Sequence, residues 1–339
     1  MIRPSVDREN DTAGISRRVF VAGAALSPVA FGAGDGMAEA SPRFPDHAIR
    51  FIVPNNAGGI ADSIARFLQN TLAEELGQAV VVENRPGASG AIAGTFVAQS
   101  LPDGHTWLID GPSNVILPLM NKSMSVNYRT ALAPVTQVMD LPYVFGVRAD
   151  FPAKDLPGLV AEAKRRPGEV TFGTTGVATT GHFMGELLQQ TAGIRLNHIP
   201  FKGGAEISQQ LMAGRIDMGM LSYNSLLPAI QSKGSRAIAV PGGHRHPSLP
   251  DVPTVGETYP GYSISSWTGH FVPAATPDAV QNRIVEALHV ALKNPRVAGL
   301  ILNSSCDPTI ATRDEFRNLI EHDTLLYTKL IRETGLRSE

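Results

Sequence analysis

From Ile49 onward, short β-branched runs alternate with stretches whose apolar residues recur every three or four positions. Ile49-Arg50-Phe51-Ile52-Val53 reads as a buried strand that breaks at Pro54. Ile60, Ile64, Phe67, Leu68, Leu72 and Leu76 then trace one stripe of a helix that stops at Gly77. Val80–Val82 is a second strand, Arg85-Pro86-Gly87 a turn, and Ala91 to Gln99 a small-residue helix. A strand at Thr106–Ile109 runs into Gly111-Pro112-Ser113-Asn114, which opens a short helix. The second half continues the alternation, with a strand over Leu141–Val147, a helix over Leu156–Lys164, and a strand over Val170–Gly173 ahead of a polar loop reaching His182. Further strands are predicted at Asn197–Pro200, Ile216–Leu221 and Arg236–Val240. Pro247–Thr254 is an extended connector, since each residue before a proline is biased away from helix. A long extended run over Ser263–Val272 precedes helices at Asp278–Lys293, Arg296–Leu302 and Arg313–Arg332. Such alternation predicts an α/β sheet covered by helices on both faces.

Composition narrows the class. The chain has 339 residues, room for two domains, and is 43% apolar and 18% charged. A net charge of −2 lacks the basic footprint of a nucleic-acid binder, so none is expected as a partner. No run reaches the roughly 18 to 20 apolar residues of a membrane-spanning helix. Cys306 has no second cysteine to pair with and reads as a buried, inert thiol. The first 40 residues have the order of an export signal. Ser16-Arg17-Arg18-Val19-Phe20 is a twin-arginine pattern, Val19 to Phe31 is mildly apolar, and Ala38-Glu39-Ala40 is a small-x-small cleavage site. Residues 1–40 are therefore expected to be a twin-arginine signal peptide, cleaved near Ala40, that delivers the folded chain to the periplasm. They hold four of the 29 basic and five of the 31 acidic residues, so the mature chain stays nearly neutral.

The chemistry is that of capture. The loop Asn55-Asn56-Ala57-Gly58-Gly59, between a strand and a helix, offers free backbone N–H groups and the positive end of a helix dipole to an anion. Neither this loop nor Thr174–His182 contains Lys or Arg. A buried carboxylate there must be met by N–H dipoles and hydroxyls. Ser63, Ser113 and Ser222 all lack the Gly-x-Ser-x-Gly elbow, no His-Glu-x-x-His pair occurs, and Gly-x-Gly-x-x-Gly is missing after the first strand. No catalytic residue, cofactor or metal is expected; an exported α/β hydrolase of a small carboxylic ester is the alternative reading. His244-Arg245-His246, beside Pro247 and without a matching acid, reads as a solvated loop, and Lys202 as an exposed turn lysine.

Seven motifs in register then carry a resemblance. They are Pro54…Ala57-Gly58-Gly59…Asp62, Val82-Glu83-Asn84-Arg85-Pro86-Gly87-Ala88…Gly90, Pro102-Asp103-Gly104-His105-Thr106, Pro200-Phe201-Lys202-Gly203-Gly204-Ala205, Leu249-Pro250-Asp251-Val252-Pro253-Thr254-Val255, Pro260-Gly261-Tyr262 and Ser265-Ser266-Trp267. From about Asp46 to about Leu336 the chain resembles the Bug family, the periplasmic receptors of tripartite tricarboxylate transport systems. The resemblance implies a two-lobed, type II-like periplasmic-binding-protein fold with two crossing strands as its hinge. Residues 46–145 with 266–339 would form one lobe and 146–265 the other. It implies a monomer that holds a small carboxylate in the interlobe cleft and presents it to a membrane permease, or to a sensor protein. Asn55, Asn56, Ala57, Gly58, Gly59 and Asp62 would form one wall, with Ser113 and Asn114 beside them. Thr174, Thr175, Gly176, Thr179, Thr180 and His182 would face them, with Ser222 and Asn224 as further wall. Family members usually carry an aromatic residue and proline where this chain has Asn55 and Asn56, a departure toward a more polar ligand. Asp62 serves equally well as a first-turn acid and His182 as a structural hydrogen-bonder. Trp267 is assigned to core or hinge packing.

Overall fold

The computed structural model describes residues 44–121 and 124–336; the expected signal peptide and its cleavage site lie outside them. The chain begins with β1 (Ile49–Val53), α1 (Ile60–Leu76), β2 (Val80–Asn84), α2 (Ala91–Ala98), β3 (Thr106–Asp110) and α3 (Ser113–Met120). A short α4 (Tyr128–Ala131) enters β4 (Leu132–Asp140). The middle consists of β5 (Tyr143–Arg148), α5 (Leu156–Arg165), β6 (Thr171–Thr174), α6 (Thr180–Ala192), β7 (Asn197–Pro200), α7 (Gly204–Met212), β8 (Met218–Ser222), α8 (Tyr223–Gln231) and β9 (Ser235–Ala239). It closes with α9 (Val255–Thr258), β10 (Trp267–Pro273), α10 (Asp278–Lys293), α11 (Pro295–Asn303), β11 (Asp307–Pro308) and α12 (Arg313–Thr334).

The strands form two sheets rather than one, ordered β11-β4-β10-β3-β1-β2 and β7-β6-β8-β5-β9. In the first, β1, β2 and β3 run parallel and β10 lies antiparallel between β3 and β4. In the second, β6, β7 and β8 run parallel and β5 lies antiparallel between β8 and β9. The chain passes from one sheet to the other at Leu141-Pro142 and returns at Ser265-Ser266. The two passages are tied where the Leu141 N–H donates to the Ser266 carbonyl at 2.8 Å. This is the two-lobed fold. Sheet membership changes before Tyr143, so the boundary expected after residue 145 falls inside β5.

Packing follows the predicted stripes. Ile64, Leu68 and Leu72 of α1 are wholly buried in one cluster with Ile284 and Leu288 of α10 and Ile301 of α11. Each such side chain contributes about 1.5–3 kcal/mol on leaving water. Helix α12 packs Phe316 against Trp267 and Phe271 of β10, with ring centroids 5.1 and 5.5 Å apart. Its Tyr327 meets Phe183 of α6, in the other lobe, at 5.0 Å. One helix thus spans the division between the sheets. Strand β4 is absent from the sequence prediction, because Pro134 interrupts its pattern. The proline is tolerated at a register shift, where it faces Phe271 on β10.

Candidate functional site

A cleft of about 750 Å³ opens between the sheets. Its first wall is the turn after β1, with Pro54, Asn55, Asn56, Ile60 and Ala61. The turn after β2 adds Pro86, Gly87, Ser89 and Gly90; the turn after β3 adds Asp110, Gly111, Pro112 and Ser113, with Ile116, Leu117 and Met120 of α3 behind. Leu141 and Tyr143 come from one passage, and Ser266, Trp267 and Thr268 from the other. Val177, Ala178, Thr179 and Thr180 face them from the second lobe. No Lys, Arg or His is among these residues.

The two facing turns are built alike. Gly59 is the N-cap of α1 and Thr179 that of α6, and neither caps its helix with a side chain. The residue before each cap has a positive φ, +85° at Gly58 and +57° at Ala178. In both turns that residue's N–H donates to a side chain four positions on: Gly58 to Asp62 Oδ2 at 2.9 Å, and Ala178 to His182 Nδ1 at 3.0 Å. Each turn is therefore pinned from below. The first-turn N–H groups above it have no side-chain cap and carry the partial positive charge of the helix end, worth about 0.3–2 kcal/mol to an anion. Thr179 does not cap because its hydroxyl donates to the Gly176 carbonyl at 2.9 Å.

Asp62 is spent on this pinning. Besides Gly58 it accepts Arg66 Nε at 3.0 Å and Asn84 Nδ2 at 2.9 Å, and the Arg66 bond leads in holding its carboxyl down at about 2. It is buried and does not line the cleft. His182 likewise lies beneath its turn, stacked 3.8 Å from His198. Burial first, then the charge of His182, lowers His198 to about 4. Thr174 is buried with its hydroxyl 2.6 Å from His198 Nε2, below the cleft floor.

Of the predicted site residues, the structure brings Asn55, Asn56, Ser113, Thr179 and Thr180 together around the cleft. Ala57, Gly58, Gly59, Thr175 and Gly176 belong to the turns but do not line the cavity. Asn114 is buried one position behind Ser113. Ser222 and Asn224 stand apart from it: the Tyr223 N–H bonds the Pro142 carbonyl at 2.8 Å, so the chain turns directly into α8, and Ser222 Oγ pairs with Ser225 Oγ at 2.9 Å. Sequence reasoning misses the β2 turn and Asp110. The first has a signal in Pro86-Gly87-Ala88-Ser89-Gly90, where Gly87 to Gly90 all take positive φ. Asp110 has a weaker one, an acid closing a strand just before Gly-Pro.

Other sequence assignments sort as follows. Trp267 is 1% exposed, donates Nε1 to Asp323 Oδ2 at 2.8 Å and also borders the cleft, so packing and wall are one role. Lys202 is exposed. The 244–246 loop is only partly solvated: Arg245 finds its acid in Glu257 through bonds of 2.8 and 2.6 Å, and His246 is buried against Tyr223. Cys306 is buried, and desolvation with nearby Asp307 pushes its thiol up to about 12. Away from the cleft, Asp46, His47 and His105 place three potential ligand atoms within 4.8 Å of one another. The two imidazoles stack at 3.6 Å, and one nitrogen of each lies against Asp46 Oδ1, at 2.6 and 3.2 Å.

Comparison with known proteins places this geometry. Residues 64–336 match the model of a tripartite tricarboxylate transporter family receptor. A UPF0065 protein in the tcbD-tcbE intergenic region of Pseudomonas sp. (strain P51) is 33% identical over 330 residues, covering 97% of each chain. The BugT protein of Bordetella pertussis is 32% identical over 297 residues, 87% of this chain and 91% of that one. Among solved structures, R. palustris Rpa4515 with adipate has a TM-score of 0.74 at 26% identity, covering 87% of this chain and 99% of its own.

Proposed function

Because this chain belongs to the tripartite tricarboxylate transporter receptor family, we propose that it is an exported periplasmic receptor for a small carboxylate. The ligand lies in the cleft, its carboxylate between the helix ends of α1 and α6. The chain binds without transforming its ligand, acts as a monomer, and hands the ligand to the membrane permease of a tripartite system; a sensor protein is the other recipient. Residues 46–140 with 266–336 move as one lobe and 143–265 as the other, after removal of a twin-arginine leader near Ala40. One observation carries this reading: two helix ends without side-chain caps face one cavity that, among the described residues, is lined by no cationic side chain. A similar protein solved with adipate supports the ligand class.

A thermal-shift panel of dicarboxylates, aromatic acids and amino acids, followed by calorimetry, tests it. A true ligand at a hundredfold excess over its Kd adds about 2.7 kcal/mol of stability by mass action. A panel in which no carboxylate stabilises the chain, or turnover of a carboxylic ester, would refute the assignment.

A further inference from the structure

Asp110 is the only carboxyl among the described residues that line the cleft. It is 4% exposed. Its Oδ1 accepts the Gly111 N–H at 2.8 Å and the Ser113 hydroxyl at 2.5 Å. Oδ2 makes no hydrogen bond; the Asn114 amide lies near enough to favour the charged form, yet its Nδ2 makes none either.

A serine hydroxyl has one proton. While Asp110 is ionised, that proton is committed to Oδ1, and Ser113 turns only lone pairs toward the cavity it borders. A second carboxylate brought there meets an acceptor and a buried like charge. A hydroxyl or ammonium brought there donates to Ser113 and moderates the charge behind it. We propose that the Asp110–Ser113 pair sets the ligand class of the cleft: a carboxylate whose second polar group is a hydrogen-bond donor, in preference to a dicarboxylate of the same length. The proposal rests on the receptor reading above and sharpens it.

The pair also has a second state. A neutral Asp110 donates to Ser113 Oγ, the bond reverses, and the serine proton is released toward the ligand. Burial lifts the Asp110 carboxyl to about 6, opposed by its bonds with Ser113 and Gly111 and by the nearby Asn114 amide. Among the described residues, Tyr128 of α4 feels the Asp110 charge and Tyr143 of β5 is the other titratable side chain lining the cleft; both phenols are raised chiefly by burial. Preference for the donor is therefore full well above that range and relaxes below it.

Calorimetry on the full chain tests this with adipate and its six-carbon ω-hydroxy and ω-amino monocarboxylate counterparts, and with the same trio at four carbons. At about pH 8 a donor-bearing acid is expected to bind at least about tenfold tighter than the diacid of its length; at about pH 5 the ratio shrinks. Asp110→Asn keeps an oxygen for the Gly111 N–H and the Ser113 hydroxyl but removes the charge, so the ratio falls, most for the ω-amino acid, and no longer changes between the two pH values. Ser113→Ala removes the acceptor and keeps the charge, so at the higher pH it lowers the ratio for the ω-hydroxy acid more than for the ω-amino acid, a second readout should Asp110→Asn fail to fold. A diacid that binds as tightly as its counterparts at about pH 8, or an unchanged ratio in both variants, overturns the proposal while leaving the receptor intact. If no probe binds the unaltered chain, the receptor reading itself fails, and this inference with it.

Discussion

Replacing Gly59 by aspartate should abolish capture without disturbing the fold. Gly59 sits at φ −74° and ψ 168°, extended backbone open to any residue. A Cβ there would come no closer than 3.4 Å to the Asn56 carbonyl oxygen. At the N-cap of α1, the introduced carboxylate accepts from the N–H groups of Ala61 and Asp62, donors at the helix end to which the ligand is assigned. The helix gains a few tenths of a kcal/mol from the better cap. The ligand loses those donors and meets a like charge. At about 5 Å and an effective dielectric of about 20, that repulsion is about 3 kcal/mol, or more than a hundredfold in affinity. Calorimetry with whichever carboxylate stabilises the chain most gives the affinity, and thermal melting checks the fold. Gly59→Asn separates the causes: it competes for the same N–H groups without charge and should cost only about tenfold. Unchanged affinity in a folded Gly59→Asp chain would remove this helix end from the site. Equal losses in the two variants would mean that the cap, not the charge, is what the ligand feels.

Three further outcomes follow from the same geometry. Asp62→Ala strips the partner from the Gly58 N–H, Arg66 and Asn84 at a position 3% exposed, and should cost about 2–4 kcal/mol in denaturant titration. Ala178→Gly relieves a φ of +57° and should stabilise by about 1 kcal/mol in the same assay, apart from the entropy glycine adds to the unfolded chain. Burial holds His270 at about 3 and His198 at about 4, both below the ordinary 6.5. The unfolded chain therefore takes up their protons first, and stability drops as pH falls from about 6.5, by up to about 1.4 kcal/mol per pH unit for each histidine. Asp110 acts in the opposite sense between its ordinary 3.8 and about 6, and Asp140 and Asp323, also raised by burial, act with it; removing one histidine contribution, His270→Gln should flatten the acid limb of melting curves recorded against pH.

The regular elements are legible because each buries one face, and one-sided burial writes a period into the sequence. The α1 stripe from Ile60 to Leu76 is such a case, and so is the β1 run ending at Pro54. Strand β4 is not, since Pro134 denies the period its continuity and only its bulged partner shows why the proline fits. At the site, the glycine pair announces an anion loop, but backbone donors leave no side-chain signature. Sequence reasoning therefore credits Asp62 and His182, whose side chains are conspicuous, with either of two roles. Only the bonds to Gly58 and Ala178 show that they hold the turns from beneath. Asp110 escapes notice for the converse reason. As the last residue of a strand it looks like a terminator, and its importance comes from burial and from one hydroxyl three positions away.

On the proposed receptor reading, the way the lobes are joined would let a small anion govern them. Within each lobe the bonds at the site are directional: Asp62 to three donors, and Thr174 and His182 to their turn. Such networks fix distance and angle and keep each helix end rigid. Between the lobes run two extended passages tied by the Leu141–Ser266 bond, and Tyr327 of α12 packs on Phe183 within one buried apolar cluster that draws on both sheets. Apolar contact is non-directional and tolerates small sliding. On the same receptor reading, the directional bonds that join the two helix ends would come from the ligand. A carboxylate has oxygens enough to accept from both helix ends at once, and it does so only when they converge. A differential affinity for the closed form would then shift the population. A cation fixed in the cleft would hold the anion equally well with the lobes apart, whereas a cleft lined by none would couple capture to closure.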